Sequence, residues 1–157
     1  MTAAGHEGSL VATVLAHALQ HPHDEALRCD GTGLSWGELR ERVLATAASL
    51  APALKGGSGR IGLLGGASVE LVIAYLATIA AGGCAVPLPV SAHRDALAGM
   101  IADSTPDLIV AHRDSLPMLH DLDAMPVIAV DPGEGLPDAL RSKSPLEEAE
   151  VADPAAA

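Results

Sequence analysis

Aromatic side chains are almost absent from this 157-residue chain, which contains one Trp, one Tyr and no Phe. So few rings cannot form the stacking surfaces with which many proteins hold single-stranded nucleic acid. Basic residues are also scarce, since nine Lys and Arg stand against 20 Asp and Glu, for a net charge of −11. This excess of negative charge repels phosphate backbones and anionic lipid. The composition therefore argues against nucleic acid and membrane surfaces as partners.

Cysteine is nearly absent as well. Cys29 and Cys84 are the only two and lie far apart in the sequence, so they form neither a disulfide framework nor a C-x-x-C metal site. The N-terminal residues, MTAAGHEGSLVATV, lack the basic stretch that opens a signal peptide. We therefore expect a cytoplasmic protein with reduced thiols.

No apolar run is long enough to cross a membrane. Residues 69–90 contain a single charge, Glu70, but Gly82-Gly83 and two prolines divide them into a helix-length half and a strand-length half. A spanning helix needs about 20 predominantly apolar residues in one run. The stretch therefore predicts two elements of a folded domain.

The aliphatic residues are arranged as alternating short strands and helices. Hydrophobic residues make up 49% of the chain, enough for one domain with a sizeable core. Four apolar runs, at 60–64, 84–88, 107–111 and 126–130, alternate with helical patterns at 69–81, 94–102 and 115–120. Strands that are apolar on both faces are typical of parallel sheets covered by helices. We predict an α/β fold: a parallel β-sheet with helices on both faces.

The N-terminal third predicts a helix, a small hairpin and a second helix. Ser9 can cap a helix over 10–20, whose inward face we assign to Leu10, Val14 and Leu15. The strands ALRCD (26–30) and LSW (34–36) flank a D-G turn typical of hairpins. Ser35 and Glu38 form a capping box, and the helix that it opens is predicted to end near 50, before Pro52. Its inward residues are expected to be Leu39, Val43, Ala47 and Leu50.

Two stretches could carry a binding site. The strand at 60–64, which contains Gly62, is followed by the pair Gly65-Gly66 and a helix start, where phosphates can bind. The three glycines match neither phosphate-binding glycine pattern, however, and no Lys follows them. We interpret these glycines as allowing a tight turn from strand to helix.

The second stretch is His17-x-x-x-His21-x-His23, which could hold a metal, but Pro22 breaks the helix and no cysteine supports the site. We interpret it as a solvated helix end. The acidic residues are expected on surfaces and caps. From these patterns we assign no catalytic, cofactor-binding or metal-binding residue.

Four stretches together resemble the family of AMP-forming adenylating enzymes, which includes acyl-CoA synthetases, fatty acyl-AMP ligases and nonribosomal adenylation domains. LSWGELRERVLATAASL resembles the family's L-T-Y-x-E-L segment, and ELVIAYLATIAAGGCAVPLP resembles its helix ending in A-G-x-x-x-V-P-L-D. GRIGLLGGASVE and HRDALAGMIADSTPDLIVA match the next strand–turn and helix–strand in order and spacing. The resemblance covers residues 9–130. Trp36 replaces the usual Tyr, Ile79-Ala80 replaces a common basic residue, and Pro89 replaces an Asp. The resulting VPLP resembles the fatty acyl-AMP ligase and acyl-CoA side of the family more than the amino-acid-activating side.

The resemblance implies an incomplete catalytic unit. It divides the chain into an N-terminal α/β subdomain, 1–130, and an acidic Pro/Gly-rich linker, 131–157, which contains seven acidic and two basic residues. In the family such a linker leads to the Ser/Thr/Gly loop that holds the ATP phosphates, and VADPAAA resembles the approach to that loop. Nothing similar to the loop occurs here, and Lys55 and Lys143 are the only lysines.

The resemblance therefore implies part of a carboxylate-activating ligase that is inactive alone, with ATP and Mg²⁺ bound only by a complete enzyme. A complementary C-terminal portion or a second copy is the expected partner. Two alternatives remain open. One is a non-catalytic interaction module derived from that fold, and the other is an unrelated ligand-binding α/β domain.

Overall fold

The computed structural model describes residues 9–55, 57–120, 122 and 125–136. The strands are β1 (Glu25–Cys29), β2 (Thr32–Ser35), β3 (Arg60–Leu64), β4 (Cys84–Leu88), β5 (Leu108–His112) and β6 (Val127–Val130). The helices are α1 (Leu10–Gln20), α2 (Trp36–Lys55), α3 (Val69–Ala80), α4 (Arg94–Ser104) and a 3₁₀ helix (Arg113–Leu119). Most of the predicted linker, 137–157, lies outside the described residues, so the division at 131 stays a prediction.

Strands β3 to β6 form one sheet, in the order β4-β3-β5-β6, and all three neighbouring pairs are parallel. The predicted parallel sheet is therefore confirmed, with each strand within one residue of its predicted run. Every residue of β5 and β6 is buried. Burial on both faces explains why these runs are continuously apolar instead of alternating with polar residues.

The sheet separates two hydrophobic clusters, because successive side chains of a strand point to opposite faces. Along β5, Leu108 and Val110 join the cluster formed with α2 and α3, whereas Ile109 and Ala111 join the cluster formed with α4 and the 3₁₀ helix. The same alternation holds in β3 and β6. Helices therefore cover both faces, as the sequence predicts. In the described part of the chain, no helix combines the length and hydropathy needed to cross a membrane.

The hairpin and the capping box form as the local sequence predicts. Asp30 and Gly31, with φ of 47° and 82°, make the two-residue turn between β1 and β2. The Ser35 N–H donates to Glu38 Oε2 at 2.8 Å, and the Glu38 N–H donates to Ser35 Oγ at 3.2 Å. The backbone hydrogen bond from Ser35 lowers the pKa of the Glu38 carboxyl, and the Ser35 hydroxyl adds to the effect. Glu38 therefore stays ionised while it holds the start of α2.

Two details of the helices differ from the sequence prediction. Helix α2 continues past Pro52 to Lys55, because Leu54 packs on the larger cluster, and this tertiary contact outweighs the local effect of proline. In α1, Leu10 is 57% exposed, whereas Val11 and Ala18 are buried. Val14 and Leu15 are partly buried against the larger cluster, as predicted, so Leu10 is the one inward residue of α1 that was assigned wrongly.

At the amino edge of the sheet, the Asp107 carboxylate holds the entry to β3 beside the entry to β5. Oδ1 accepts from the Ser58 N–H at 2.7 Å, and Oδ2 accepts from the N–H groups of Gly59 and Arg60 at 2.7 and 3.1 Å. A Cβ on Gly57 would overlap Oδ1, so the loop can approach the carboxylate this closely only with glycine there. One side chain therefore satisfies three backbone donors.

We expect Asp107→Ala to lower the free energy of unfolding by about 2 kcal/mol, because it leaves those three donors without their acceptor. Urea denaturation followed by circular dichroism measures the change. Asp103→Ala is the matched control, since Asp103 is exposed on α4 and its loss should change stability by less than about 0.5 kcal/mol. Equal effects of the two substitutions would contradict the role assigned to Asp107.

Candidate functional site

The carboxyl ends of β3 and β5 form the switch point of the sheet. The chain leaves β3 through α3 toward β4, on one side, and leaves β5 through the 3₁₀ helix toward β6, on the other. The two connections diverge from neighbouring strands, and in open α/β sheets ligands bind in the crevice that such a divergence creates. The switch point is therefore the expected position of a ligand-binding site.

The His112 ring fills this crevice. His112 is 4% exposed, and a Cβ built on Gly65 would lie 2.5 Å from its Cγ, so the ring rests directly against the Gly65 backbone. His112 Nε2 lies 2.9 Å from Ser68 Oγ, which also accepts the Leu71 N–H as the N-cap of α3. The end of β5 is thus joined to the first turn of α3 through two buried side chains.

The Ser68–His112 pair is built for structure and not for nucleophilic catalysis. Ser68 is 4% exposed, and its hydroxyl is already engaged with His112 Nε2 and the Leu71 N–H. Catalytic Ser–His pairs also need a third group that orients the ring, and no described carboxylate is hydrogen-bonded to His112.

The three glycines have different roles, which the sequence interpretation did not separate. Gly65 gives space to the His112 ring, whereas a Cβ on Gly66 would meet nothing within 4 Å. Gly62 lies within β3, as the predicted strand 60–64 requires. A Cβ there would come within 3.0 Å of the Ile109 side chain and 3.3 Å of Leu88. Gly62 therefore serves close packing in the sheet.

The three N-terminal histidines are exposed and do not converge. The rings of His17 and His21 lie 4.6 Å apart, and His17 also packs edge-on against Trp36 at 4.5 Å. His23 lies beyond the end of α1. Within the residues that the structure describes, no group of three His, Cys, Asp or Glu side chains is placed to hold a metal ion. The free thiols of Cys29 and Cys84 lie on different elements and add no such site.

A cleft of about 570 Å³ opens beside the switch point and is strongly acidic. It lies between β2, α2, the start of α3 and residues 133–136, and we call it the acidic cleft. Among the residues that the structure describes, its charged lining consists of four carboxylates and one guanidinium: Glu38, Glu41, Glu70, Glu134 and Arg42.

Sequence reasoning missed Glu70. The acidic residues were expected on surfaces and caps, but Glu70 is 1% exposed. Its Oε1 accepts from the Gly135 N–H at 3.0 Å, and this bond ties α3 to the segment after β6. The signal was present in the sequence, because Glu70 is the only charge in the apolar stretch 69–90. Its partner, 65 residues further along the chain, could not be foreseen.

The described residues do not fit ATP or Mg²⁺, which the family resemblance implies for a complete enzyme. A triphosphate needs N–H donors and cationic side chains, yet the acidic cleft presents four carboxylates and the switch point is filled by His112. Mg²⁺ is usually held by carboxylates together with phosphates, and the described carboxylates form no such group. No step of phosphate chemistry is therefore assigned to these residues.

Comparisons with known proteins agree on one family. The model of the family described as AMP-binding enzyme matches residues 14–156. Tenellin synthetase of Beauveria bassiana (strain ARSEF 2860) is 29% identical over 117 residues, which are 74% of this chain and 3% of that protein.

Two solved structures share the fold. A benzoate CoA ligase from Burkholderia xenovorans LB400 matches with a TM-score of 0.74 and 20% identity, over 91% of this chain and 30% of its own. A fatty acid AMP ligase from Legionella pneumophila matches with a TM-score of 0.62 and 22% identity, over 78% of this chain and 23% of its own. The chain therefore spans less than a third of each solved structure and a small fraction of the curated relative.

We expect Gly65→Ala to destabilise the protein by about 2 kcal/mol, because the added methyl group must displace the His112 ring from a packed position. Gly66→Ala is the matched control at the next position, where the new Cβ meets open space, and it should be neutral or slightly stabilising. Thermal and urea denaturation of both variants measure the difference. Similar stabilities would show that the contact between Gly65 and His112 is not tight.

Proposed function

The chain belongs to the AMP-binding enzyme family, and from this premise we propose that it forms the N-terminal part of a carboxylate-activating ligase. The reaction of the assembled enzyme is carboxylate plus ATP giving an acyl adenylate and pyrophosphate. The observation that carries the proposal is the family match over residues 14–156. The chain's own contribution is the α/β subdomain built on the parallel sheet.

We propose a fatty acid as the carboxylate. The support is the sequence VPLP at 86–89, where Pro89 replaces the Asp that the family commonly has. The names of the two structural neighbours differ in the acid, one benzoate and the other a fatty acid, and likeness at this level concerns the fold alone. A test of substrate therefore includes aryl and amino acids beside fatty acids. The compartment we propose is the cytoplasm, where the Cys29 and Cys84 thiols remain reduced.

The chain alone is proposed to be inactive. The reasons are the four carboxylates of the acidic cleft, which repel a triphosphate, and the His112 ring, which occupies the crevice at the switch point. Both features belong to the folded chain and do not depend on the choice of acid.

We expect no carboxylate-dependent ATP–pyrophosphate exchange from the purified chain with fatty, aryl or amino acids. Exchange should appear when the chain is mixed with the complementary C-terminal portion of a homologous ligase, and fatty acids should be the preferred substrates. The control is that portion alone, together with a mock preparation made without this chain. Exchange by the pure chain above the mock level would contradict the proposed inactivity. No exchange in any mixture would contradict the proposed ligase role.

An exposed apolar surface supports the proposal that the chain binds a partner. Among the described residues, strand β4 pairs with β3 only, so one of its edges has no described strand beside it. Beside it lies a groove of about 410 Å³, the apolar groove, whose lining includes Leu10, Leu63, Leu71, Val72, Leu76 and Pro87. Leu10 and Val72 are 57% and 41% exposed, and free edges and exposed apolar patches recruit partners.

We propose that the complementary ligase portion covers the apolar groove, and that a second copy of the chain occupies it when that portion is absent. The same groove is the observation that favours the alternative function, a non-catalytic interaction module. The two functions differ in whether the bound partner restores pyrophosphate exchange.

We expect Val72→Glu to abolish self-association and to weaken binding of the complementary portion at least about tenfold, because a carboxylate in the groove would be desolvated without a partner. Light scattering coupled to gel filtration measures the first effect and calorimetry the second. Met100→Glu is the matched control, since Met100 is 43% exposed on α4, against the other face of the sheet, and should change neither. A wild-type chain that is a monomer and binds no complementary portion would contradict the proposed partner.

A further inference from the structure

Two residues that line the acidic cleft each have a buried polar atom with no hydrogen-bond partner among the described residues. The atoms are Glu70 Oε2 and Thr46 Oγ1, and both residues are 1% exposed and line the cleft. Buried polar groups in folded proteins are nearly always paired, and an unpaired buried carboxylate oxygen is costly. The two atoms therefore need a hydrogen-bond donor that the described residues do not supply.

The charge around these atoms selects a cation. Glu38, Glu41 and Glu134 line the same cleft as Glu70, and Arg42 is the one basic side chain among the described lining residues. The Glu38 carboxyl, whose pKa is lowered by its bond from the Ser35 N–H, stays ionised and adds to the negative field. A concave surface with charge of one sign raises the local concentration of ligands of the opposite sign.

The chemistry of the cleft favours an organic cation over a metal ion. No group of three potential ligands is placed for a metal in the part of the chain that the structure describes. A primary ammonium group has three N–H donors and no acceptor, which suits two unpaired acceptors and a further carboxylate. Leu34, Ala45 and Leu136 also line the cleft and offer apolar surface to a short hydrocarbon chain. A volume of about 570 Å³ lies within the usual range for small-molecule sites.

We propose that the acidic cleft binds a small aliphatic primary amine in its ammonium form. The ammonium group donates to Glu70 Oε2 and Thr46 Oγ1, and the hydrocarbon chain lies against Leu34 and Leu136. This site is separate from the apolar groove and needs no carboxylate activation. It therefore stands or fails independently of the proposed ligase function.

The first test compares three probes with the full chain in two-dimensional ¹H–¹⁵N NMR. n-Butylammonium chloride is expected to give saturable shifts of the amides of Thr46, Glu70 and Gly135. Sodium chloride at the same ionic strength tests for general screening, and butan-1-ol tests for binding of the hydrocarbon chain alone. Saturable shifts with n-butylammonium alone support the proposal. Equal responses to sodium chloride or butan-1-ol, or no response to n-butylammonium, overturn it and leave ordered water as the partner of the two atoms.

The second test uses three variants. Glu70→Gln removes the charge but keeps an oxygen that can accept the Gly135 N–H, and the dissociation constant for n-butylammonium should rise at least about tenfold. Thr46→Val removes the unpaired hydroxyl at nearly constant volume and should also weaken binding. Asp103→Asn makes the same charge change at an exposed position on α4 and should leave the dissociation constant unchanged.

The pattern among the variants decides the outcome. Wild-type affinity in folded Glu70→Gln, or equal weakening by Asp103→Asn, would show that n-butylammonium follows the net charge and not the cleft. If Glu70→Gln proves to be unfolded, Thr46→Val decides the matter, because its loss of affinity supports the site and its unchanged affinity overturns it.

Discussion

The structure depends on one constraint: a core without aromatic bulk must be built from aliphatic side chains on both faces of a parallel sheet. Leu, Ile, Val and Ala fill two clusters separated by the sheet, and each strand contributes alternate residues to each cluster. Small side chains let backbones approach closely, as at Gly62, where the neighbouring Ile109 occupies the space that a side chain would need. The positions of the helices follow, because each must cover one of the two faces.

Polar contacts of different kinds hold the two ends of the sheet, the end where the strands begin and the end where they finish. At the amino edge, one carboxylate, that of Asp107, gathers three backbone donors from the loop before β3. At the carboxyl edge, the buried pair Ser68–His112 joins β5 to α3 and closes the crevice in which α/β proteins usually hold a ligand. The open, charged space lies to one side of this crevice, in the acidic cleft. In this subdomain, the crevice where α/β proteins commonly bind a ligand is thus occupied by buried side chains that hold the fold together.

The sequence predicted the elements well and the contacts between distant elements poorly. The parallel strands, the D-G turn and the Ser35–Glu38 box follow from short-range patterns, and the structure has them where expected. The assignment of Leu10 to the inward face of α1 and the predicted end of α2 were wrong, because both depend on what each helix packs against. Glu70 and its partner Gly135 are separated by 65 positions in the sequence, and Gly65 and His112 by 47 positions. No local sequence pattern encodes contacts between residues so far apart. The acidic cleft could not be predicted for the same reason, because its lining comes from four separate segments of the chain.

The hydrogen bond between Glu70 and Gly135 determines where the chain departs from the subdomain. It holds the segment after β6 against α3, and Leu136 is buried in the cluster shared with α2 and α3. Whatever follows residue 136 therefore starts from an anchored point on that side of the sheet. Glu70 thus extends the fixed part of the backbone from Val130, at the end of β6, to Leu136.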